Sequence, residues 1–92
     1  MRIIESVKYK TELREIAFYI RKDKKNASIA FVKELKNSIN KLINFPYKNR
    51  KSIYFGSDDI RDMTFKGYTI IYEIFENKIE ILSIFNQNKP NE

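Results

Sequence analysis

A long run of small and apolar residues at three- and four-residue spacing, ending at Ile43, constrains the fold more than any other sequence feature. Its members are Ala27, Ala30, Phe31, Leu35, Ser38, Ile39, Leu42 and Ile43. This spacing places them on one side of a helix of about five turns. Asn26 is the candidate N-cap. Pro46 is expected to end the helix, because proline disfavours helical geometry in the residue before it.

A shorter amphipathic pattern lies upstream of this helix. Leu13, Ile16, Ala17 and Ile20 follow the i, i+3, i+4, i+7 spacing of a single helical face. The pattern predicts a first helix from about Lys8 to Lys22. A polar break of four residues, 23–26, separates the two helices, so we expect an αα-hairpin.

Strand-like runs surround the two helices. They cover Arg2–Val7, Ile60–Phe65, Tyr68–Phe75 and Lys78–Phe85. The last three runs are joined by the short connections 66–67 and 76–77, so they should form an antiparallel meander. Strict alternation in the last run would place Ile79, Ile81 and Ser83 opposite Leu82 and Ile84.

The predicted order is therefore β-α-α-β-β-β. We expect an α+β fold in two layers, with the helical hairpin packed on a small, mainly antiparallel sheet. The first strand should join the same sheet, since it cannot pair its backbone alone. The length of 92 residues fits one domain, residues 1–92, with a polar tail after the last strand.

Composition narrows the possible chemistry. The chain has no His and no Cys, which excludes imidazole bases, thiolate nucleophiles, zinc ribbons and disulfide frameworks. Its 18 basic and 12 acidic residues give a net charge of +6, which indicates an acidic partner. No run of about 18 apolar residues occurs, so we expect no membrane association and a cytoplasmic location.

Basic residues concentrate after the second helix. The candidate contact residues for a nucleic acid or another target are Lys48, Arg50, Lys51, Arg61, Lys66 and Lys89. Aromatic residues alternate with them, namely Tyr47, Tyr54, Phe55, Phe65 and Tyr68. Basic residues beside aromatic ones suit a phosphate backbone with unstacked bases. The alternative interpretation is a solvated loop with ordinary core aromatics.

Chemistry without histidine would depend on these cations. Lys and Arg can stabilise charge on a phosphate during attack by a ribose hydroxyl, but a proton-transfer pair is not evident. Asp58, Asp59 and Asp62 match no metal-binding pattern, and two glycines cannot form a phosphate loop. We therefore expect no metal and no cofactor. Tyr68 and Tyr72 are expected to pack across strands rather than act as catalytic phenols.

Several segments, in their order and spacing, together resemble a known family. The helix segments are 13–20, 30–31 and 42–46, and the strand segments are 59–63, 67–74 and 79–85. Their sequences are LREIAFYI, AF and LINFP, followed by DIRDM, GYTIIYEI and IEILSIF. This arrangement resembles the RelE/ParE superfamily of toxins from bacterial type II toxin–antitoxin modules, over nearly the whole chain.

The resemblance implies a toxin that is neutralised by a cognate acidic antitoxin encoded next to it. The superfamily divides by function. RelE-like members enter the ribosomal A site and cut mRNA, whereas ParE-like members inhibit DNA gyrase.

Two positions distinguish these branches. Ribonuclease members commonly carry Arg after the Gly-Tyr of the middle strand, where this chain has Thr69. Several of them also carry His or a basic–aromatic pair just after the last strand, where this chain has Asn86 and Gln87. These departures favour a ParE-like gyrase inhibitor.

The alternative is a RelE-like ribosome-dependent endoribonuclease that uses Arg61 as its catalytic residue with Lys48, Arg50, Lys51 or Lys66. Lys89 could substitute for the C-terminal basic residue only if the tail folds back.

Overall fold

The computed structural model describes residues 1–86. Five strands and two α-helices make up the fold: β1 (Arg2–Glu5), α1 (Val7–Asp23), α2 (Lys25–Asn40), β2 (Arg50–Lys51), β3 (Ile60–Phe65), β4 (Tyr68–Ile74) and β5 (Lys78–Asn86). A single 3-10 turn, Lys41–Ile43, continues α2. In residues 1–86, no helix has the combination of length and apolar character needed to cross a membrane.

The five strands form one mixed sheet in the order β1-β5-β4-β3-β2. The meander of β3, β4 and β5 is antiparallel, as the short connections predict. β1 joins the sheet beside β5 and runs parallel to it, with Ile3 opposite Ile79. The predicted α+β architecture is therefore confirmed, with one additional strand, β2.

Ser6 turns the chain from the sheet into the first helix. Its backbone N–H donates to the carbonyl of Ile81, and its hydroxyl donates to the carbonyl of Leu82. The same hydroxyl accepts the N–H of Tyr9, which makes Ser6 the N-cap of α1. One residue thus ends the strand pairing and begins the helix, so α1 starts at a fixed place on the sheet.

The connection between the two helices is shorter than the sequence indicates. Asn26 is not an N-cap, because α2 begins at Lys25 and only Lys24 separates the helices. Lys24 provides no side-chain cap. The Ser28 hydroxyl instead donates to the carbonyl of Ala17 at 2.7 Å and ties the helices together. At the other end, regular α-helix stops at Asn40, six residues before Pro46.

The core lies between the helices and one face of the sheet. Its buried members are Tyr9, Phe31, Leu35, Ile39, Leu42, Met63, Ile70, Tyr72, Ile74, Ile79, Ile81 and Ile84. Phe31 on α2 packs edge-on against Phe65 and Tyr68, with ring centroids 5.5 and 5.3 Å apart. These contacts confirm Tyr68 as a packing residue.

A β-bulge in β5 shifts the alternation of side chains between the two faces of the sheet. Ile71 pairs with Ser83 but Tyr72 pairs with Ile81, so Leu82 is an extra residue in β5. Ile84 consequently joins Ile79 and Ile81 in the core, and the predicted grouping of Ser83 with those two residues is wrong.

The connection between β3 and β4 is a tight hairpin turn. Lys66 and Gly67 both have positive φ, at 48° and 84°, which matches the right-handed twist of the flanking strands. Gly67 adopts this conformation without strain, whereas the Cβ of Lys66 makes it less favourable there.

Glu12 on α1 protects the part of β5 that extends beyond β1. Its carboxylate accepts the backbone N–H of Ile84 at 3.0 Å and the hydroxyl of Ser83 at 2.8 Å. Lys8 donates to both Glu12 and Ser83. The first helix therefore satisfies an edge amide that strand pairing leaves open.

We predict that Tyr9→Phe stabilises the protein. The Tyr9 hydroxyl is buried and has no hydrogen-bond partner among the described residues, so removing it should raise the free energy of unfolding by about 1 kcal/mol. Tyr72→Phe is the matched control. The buried Tyr72 hydroxyl bonds to Pro46 and Asn49, and its loss should cost about 1 kcal/mol. Urea unfolding measures both, and a destabilised Tyr9→Phe variant would contradict the prediction.

We also predict that Glu12→Ala destabilises the fold by about 1–3 kcal/mol, because the Ile84 amide and the Ser83 hydroxyl lose their acceptor. Glu12→Gln keeps an amide oxygen at that position and should lose less than half as much. The free energies of unfolding of the two variants, measured by urea titration, should differ in this order. Equal losses would mean that the negative charge, rather than the acceptor, matters.

Candidate functional site

Three of the predicted contact residues meet on neighbouring strands. Arg50 and Lys51 form β2, and the two residues opposite them on β3 are Asp62 and Arg61. Because cross-strand partners share a face, Lys51 and Arg61 lie on the helix side of the sheet. Arg50 and Asp62 lie on the outer side.

Arg61 is held firmly by its neighbours. Its Nε donates to the carbonyl of Asp58 at 2.9 Å, and Nη1 donates to the carbonyl of Asn49 at 3.1 Å. The guanidinium lies over the ring of Tyr47, 4.9 Å from the centroid. A guanidinium has five N–H donors. Arg61 therefore keeps part of its donor capacity for an anionic group of a partner.

The tyrosines of the site are poor proton acceptors. Tyr47 donates to Asp59 at 2.8 Å, and this hydrogen bond raises the pKa of its phenol. Burial raises the pKa of Tyr72, which donates to the carbonyl of Pro46 at 2.7 Å. Both phenols therefore remain protonated at neutral pH, and neither supplies a general base.

Asp62 organises the outer side of the site. Its side chain is fully buried and lies 3.4 Å from Nη2 of Arg50. Oδ2 also accepts the backbone N–H of Ile53 at 3.1 Å, whereas Oδ1 has no partner among the described residues. The carboxylate thus fixes the start of the 52–57 loop and neutralises one of the predicted cations.

The remaining predicted contacts do not converge with Arg61. Lys66 lies at the opposite end of β3, about 16 Å along the strand, and pairs there with Glu34 of α2. Lys48 follows the 3-10 turn, and its amide donates to Phe45. Lys89 lies outside the described residues. A single cluster that contains all six predicted residues is therefore not formed by the described part of the chain.

Exposed apolar residues flank the Arg50 side of the site. Ile53, Tyr54 and Phe55 are all exposed, and Tyr54 packs edge-on against Phe85 with centroids 5.4 Å apart. The loop borders a groove of about 370 Å³ on the outer face of the sheet, floored by Ile71 and Leu82. Cations beside exposed aromatics suit the binding of a macromolecule.

The side chains of Thr69 and Arg61 lie on opposite faces of the sheet. Arg61 lies opposite Tyr72 on the helix side, whereas Thr69, three residues earlier in β4, faces the outer side beside Thr64. The Thr69 side chain is also buried. An anion held by Arg61 therefore receives no second group from the Thr69 position.

The site can bind an anion but has few means of moving a proton. Among residues 1–86, no group of three acidic residues is placed to hold a metal ion. Lys51 is engaged with Asp58 at 3.1 Å. The geometry supports recognition of a partner more readily than catalysis.

Sequence reasoning missed the partners that orient these cations. Asn49 supplies the carbonyl that holds Arg61, and Asp62 supplies the buried charge beside Arg50. The carboxylate had a detectable signal, since Asp62 lies inside a strand pattern and shares a face with Ile60 and Thr64. The Asn49 carbonyl had none, because backbone carbonyls are present at every residue.

A family profile and a structural comparison both show similarity to known proteins. The profile described as ParE toxin of type II toxin-antitoxin system, parDE, matches residues 3–90. Nine solved chains match the fold. One of them, from the chromosomal ParDE TA system from P. aeruginosa, has a TM-score of 0.80 and 15% identity over 94% of this chain and 95% of that chain. No curated protein matches significantly.

We predict that Arg50→Ala destabilises the protein more than Asp62→Asn does. Removal of Arg50 leaves a buried carboxylate without its cation, at a cost of about 1–3 kcal/mol. Asp62→Asn removes the buried charge and keeps an oxygen for the Ile53 amide, so it should cost less than about 1 kcal/mol. Urea unfolding compares the two variants. A larger loss for Asp62→Asn would show that the ion pair contributes net stability.

Proposed function

This chain belongs to the ParE toxin family of type II toxin–antitoxin systems, and from that premise we propose that it inhibits DNA gyrase by binding to it. We propose further that a cognate acidic antitoxin neutralises it. The family membership supplies the toxin class, and the choice of gyrase as target depends on the candidate site.

The observation that carries this choice is the placement of Arg61 and Thr69 on opposite faces of the sheet. Cleavage of a phosphodiester needs stabilised charge and a proton acceptor near the same phosphate. Arg61 could provide the first requirement. The tyrosines beside it, Tyr47 and Tyr72, have pKa values raised above the ordinary range, so they do not provide the second.

Inhibition by binding needs only a complementary surface. Arg61 is preorganised by two backbone carbonyls and the Tyr47 ring, and ordered Arg and Tyr residues are common anchors of protein interfaces. The exposed loop residues Ile53 and Tyr54 lie beyond β2, on the Arg50 side, and offer a second, apolar contact area. A protein surface with acidic groups beside apolar pockets would fit this arrangement.

The net charge supports an acidic antitoxin. The chain carries +6, and opposite charge on a partner raises the rate of association and suppresses wrong partners. The antitoxin would then neutralise the toxin by covering its basic surface.

One observation favours the alternative, a RelE-like mRNA endoribonuclease. The guanidinium of Arg61 keeps donors that are not used by Asp58 and Asn49, and a fixed guanidinium is suited to a phosphate. Arg61 would be the catalytic residue in that case.

We predict that the purified protein inhibits gyrase-catalysed DNA supercoiling. Arg61→Ala should raise the concentration for half-inhibition about tenfold, as expected for the loss of an ordered Arg at an interface. Lys33→Ala, which removes an exposed cation of α2, is the matched control and should leave inhibition unchanged. Full supercoiling at saturating wild-type protein would refute the proposal.

A second assay distinguishes gyrase inhibition from the ribonuclease alternative. Primer extension on translated mRNA should detect no cleavage at the ribosomal A site. Cuts that appear with the wild type and disappear with Arg61→Ala would establish the ribonuclease function instead. Cell growth during induction, with and without the neighbouring antitoxin gene, measures neutralisation.

A further inference from the structure

Arg61 is held by acceptors on two loops, and both loops are anchored to β4, the middle strand of the sheet. Its Nε donates to the carbonyl of Asp58, and its Nη1 donates to the carbonyl of Asn49. The first loop is anchored through its backbone, because the N–H of Ile74 donates to the carbonyl of Asp59 at 2.8 Å. The second loop is anchored by a buried side chain instead.

That side chain is Tyr72, which joins the core to the loop before β2. Its ring is fully buried, and it lies opposite Arg61 in the pairing of β3 with β4. Its hydroxyl donates to the carbonyl of Pro46 at 2.7 Å and accepts a hydrogen bond from Nδ2 of Asn49 at 3.1 Å. One phenol therefore holds both ends of residues 46–49, which we name the 46–49 loop.

The 46–49 loop depends on this phenol because it lies outside the helices and strands. It runs between the 3-10 turn and β2, and the side chains of Tyr47 and Lys48 are exposed. The N–H of Lys48 donates back to the carbonyl of Phe45 at 3.1 Å. A segment with exposed side chains opens more readily than a core strand does. The bonds to the buried phenol therefore fix the positions of the carbonyl groups in this loop.

The same loop supplies two of the contacts that orient Arg61. The backbone carbonyl of Asn49 accepts from Nη1 at 3.1 Å, and the ring centroid of Tyr47 lies 4.9 Å from Cζ of the guanidinium. A displaced loop would weaken both contacts and leave the guanidinium with the bond from Nε to the carbonyl of Asp58. The orientation of Arg61 is therefore coupled to a phenol on the neighbouring strand.

We propose that Tyr72 and the side-chain amide of Asn49 are positioning residues, which act on the target through Arg61. The inference rests on the proposed function, in which Arg61 contacts gyrase. Neither polar group needs to touch the target, since the phenol is buried and the amide is bonded to it. An arginine that is fixed before binding loses less conformational freedom in the complex, so its fixed orientation raises affinity.

A purely structural role for the phenol leads to different results. Loss of its two hydrogen bonds lowers the stability of the fold under either role, so stability alone does not distinguish them. A structural role would leave the mobility of Arg61 in the folded protein unchanged. A positioning role would release the guanidinium while the protein stays folded.

Exchange of the Arg61 Nε proton with water, measured by NMR on isotope-labelled protein, tests the positioning role. Tyr72→Phe and Asn49→Ala should each speed this exchange about fivefold, the factor that corresponds to one lost hydrogen bond. Asn49→Ala keeps the backbone carbonyl that accepts from Nη1. Its effect can therefore reach Arg61 only through the position of the loop.

Ser28→Ala is the matched control for lost stability. It removes the hydrogen bond from the buried Ser28 hydroxyl to the carbonyl of Ala17, at the end of α2 that lies away from the 46–49 loop. It should leave the exchange of the Arg61 proton within about twofold of the wild type. Equal acceleration in Ser28→Ala and Tyr72→Phe would overturn the proposal, because the effect would then follow stability.

Gyrase supercoiling tests the functional part of the inference. Tyr72→Phe and Asn49→Ala should each raise the concentration for half-inhibition about fivefold. The double variant Arg61→Ala, Tyr72→Phe should inhibit within about twofold of Arg61→Ala, since the phenol acts through an arginine that is then absent. Losses that multiply in the double variant would overturn the proposal, because they would show that Tyr72 acts independently of Arg61.

The two measurements separate this inference from the function on which it rests. If the wild type does not inhibit gyrase, the proposed function fails, and proton exchange still decides whether Tyr72 orients Arg61. If the wild type inhibits gyrase and Tyr72→Phe leaves the exchange unchanged, the positioning role is refuted and the proposed function stands. If Tyr72→Phe does not fold, Asn49→Ala decides both measurements, since Asn49 lies outside the core.

Discussion

The parallel pairing of β1 with β5 is the contact on which the rest of the fold depends. It joins residues 2–5 to residues 78–81, nearly the full length of the chain apart. Parallel strands require a long crossover, and here the two helices lie within it. Ser6 hydrogen-bonds to β5 and caps α1, so the position of the helical layer follows from the register of this strand pair.

The basic side chains in the described part of the protein fall into two groups, one with charged or polar partners and one without ion-pair partners. The cations near β2 are engaged by Asp62, Asp58 and backbone carbonyls, which gives them defined orientations and reduces their effective charge. Arg14, Arg21 and Lys25 on the hairpin form no ion pair within residues 1–86. A net charge calculated from composition cannot distinguish these cases, because it counts an oriented, neutralised Arg50 and a solvated Arg21 equally.

The success and failure of the sequence predictions have physical reasons. Periodicity located α1 to within one residue at each end and identified the meander, since repeated burial on one face leaves a regular trace in sequence. Asn26 failed as an N-cap because the Ser28–Ala17 hydrogen bond and tight packing set the start of α2. The two residues of β2 are too few to show alternation. The bulge at Leu82 inverted the expected faces of Ser83 and Ile84, and nothing in local composition marks it.

The candidate site was predictable in part. The basic and aromatic residues were identifiable because their side chains carry the chemistry. Their grouping depended on cross-strand register, which brought Lys51 and Arg61 together and carried Lys66 to the far end of β3. The family resemblance was specific because it used several segments in order, and the profile match over residues 3–90 confirms it.

The short edge strand β2 has a consequence for the behaviour of the protein at high concentration. Its neighbouring backbone groups are occupied by side chains, since Arg61 binds the Asn49 carbonyl and Asp62 binds the Ile53 amide. An edge strand of only two residues offers little template for a strand from another molecule. The brevity of β2 therefore works against open-ended self-assembly at that edge of the sheet.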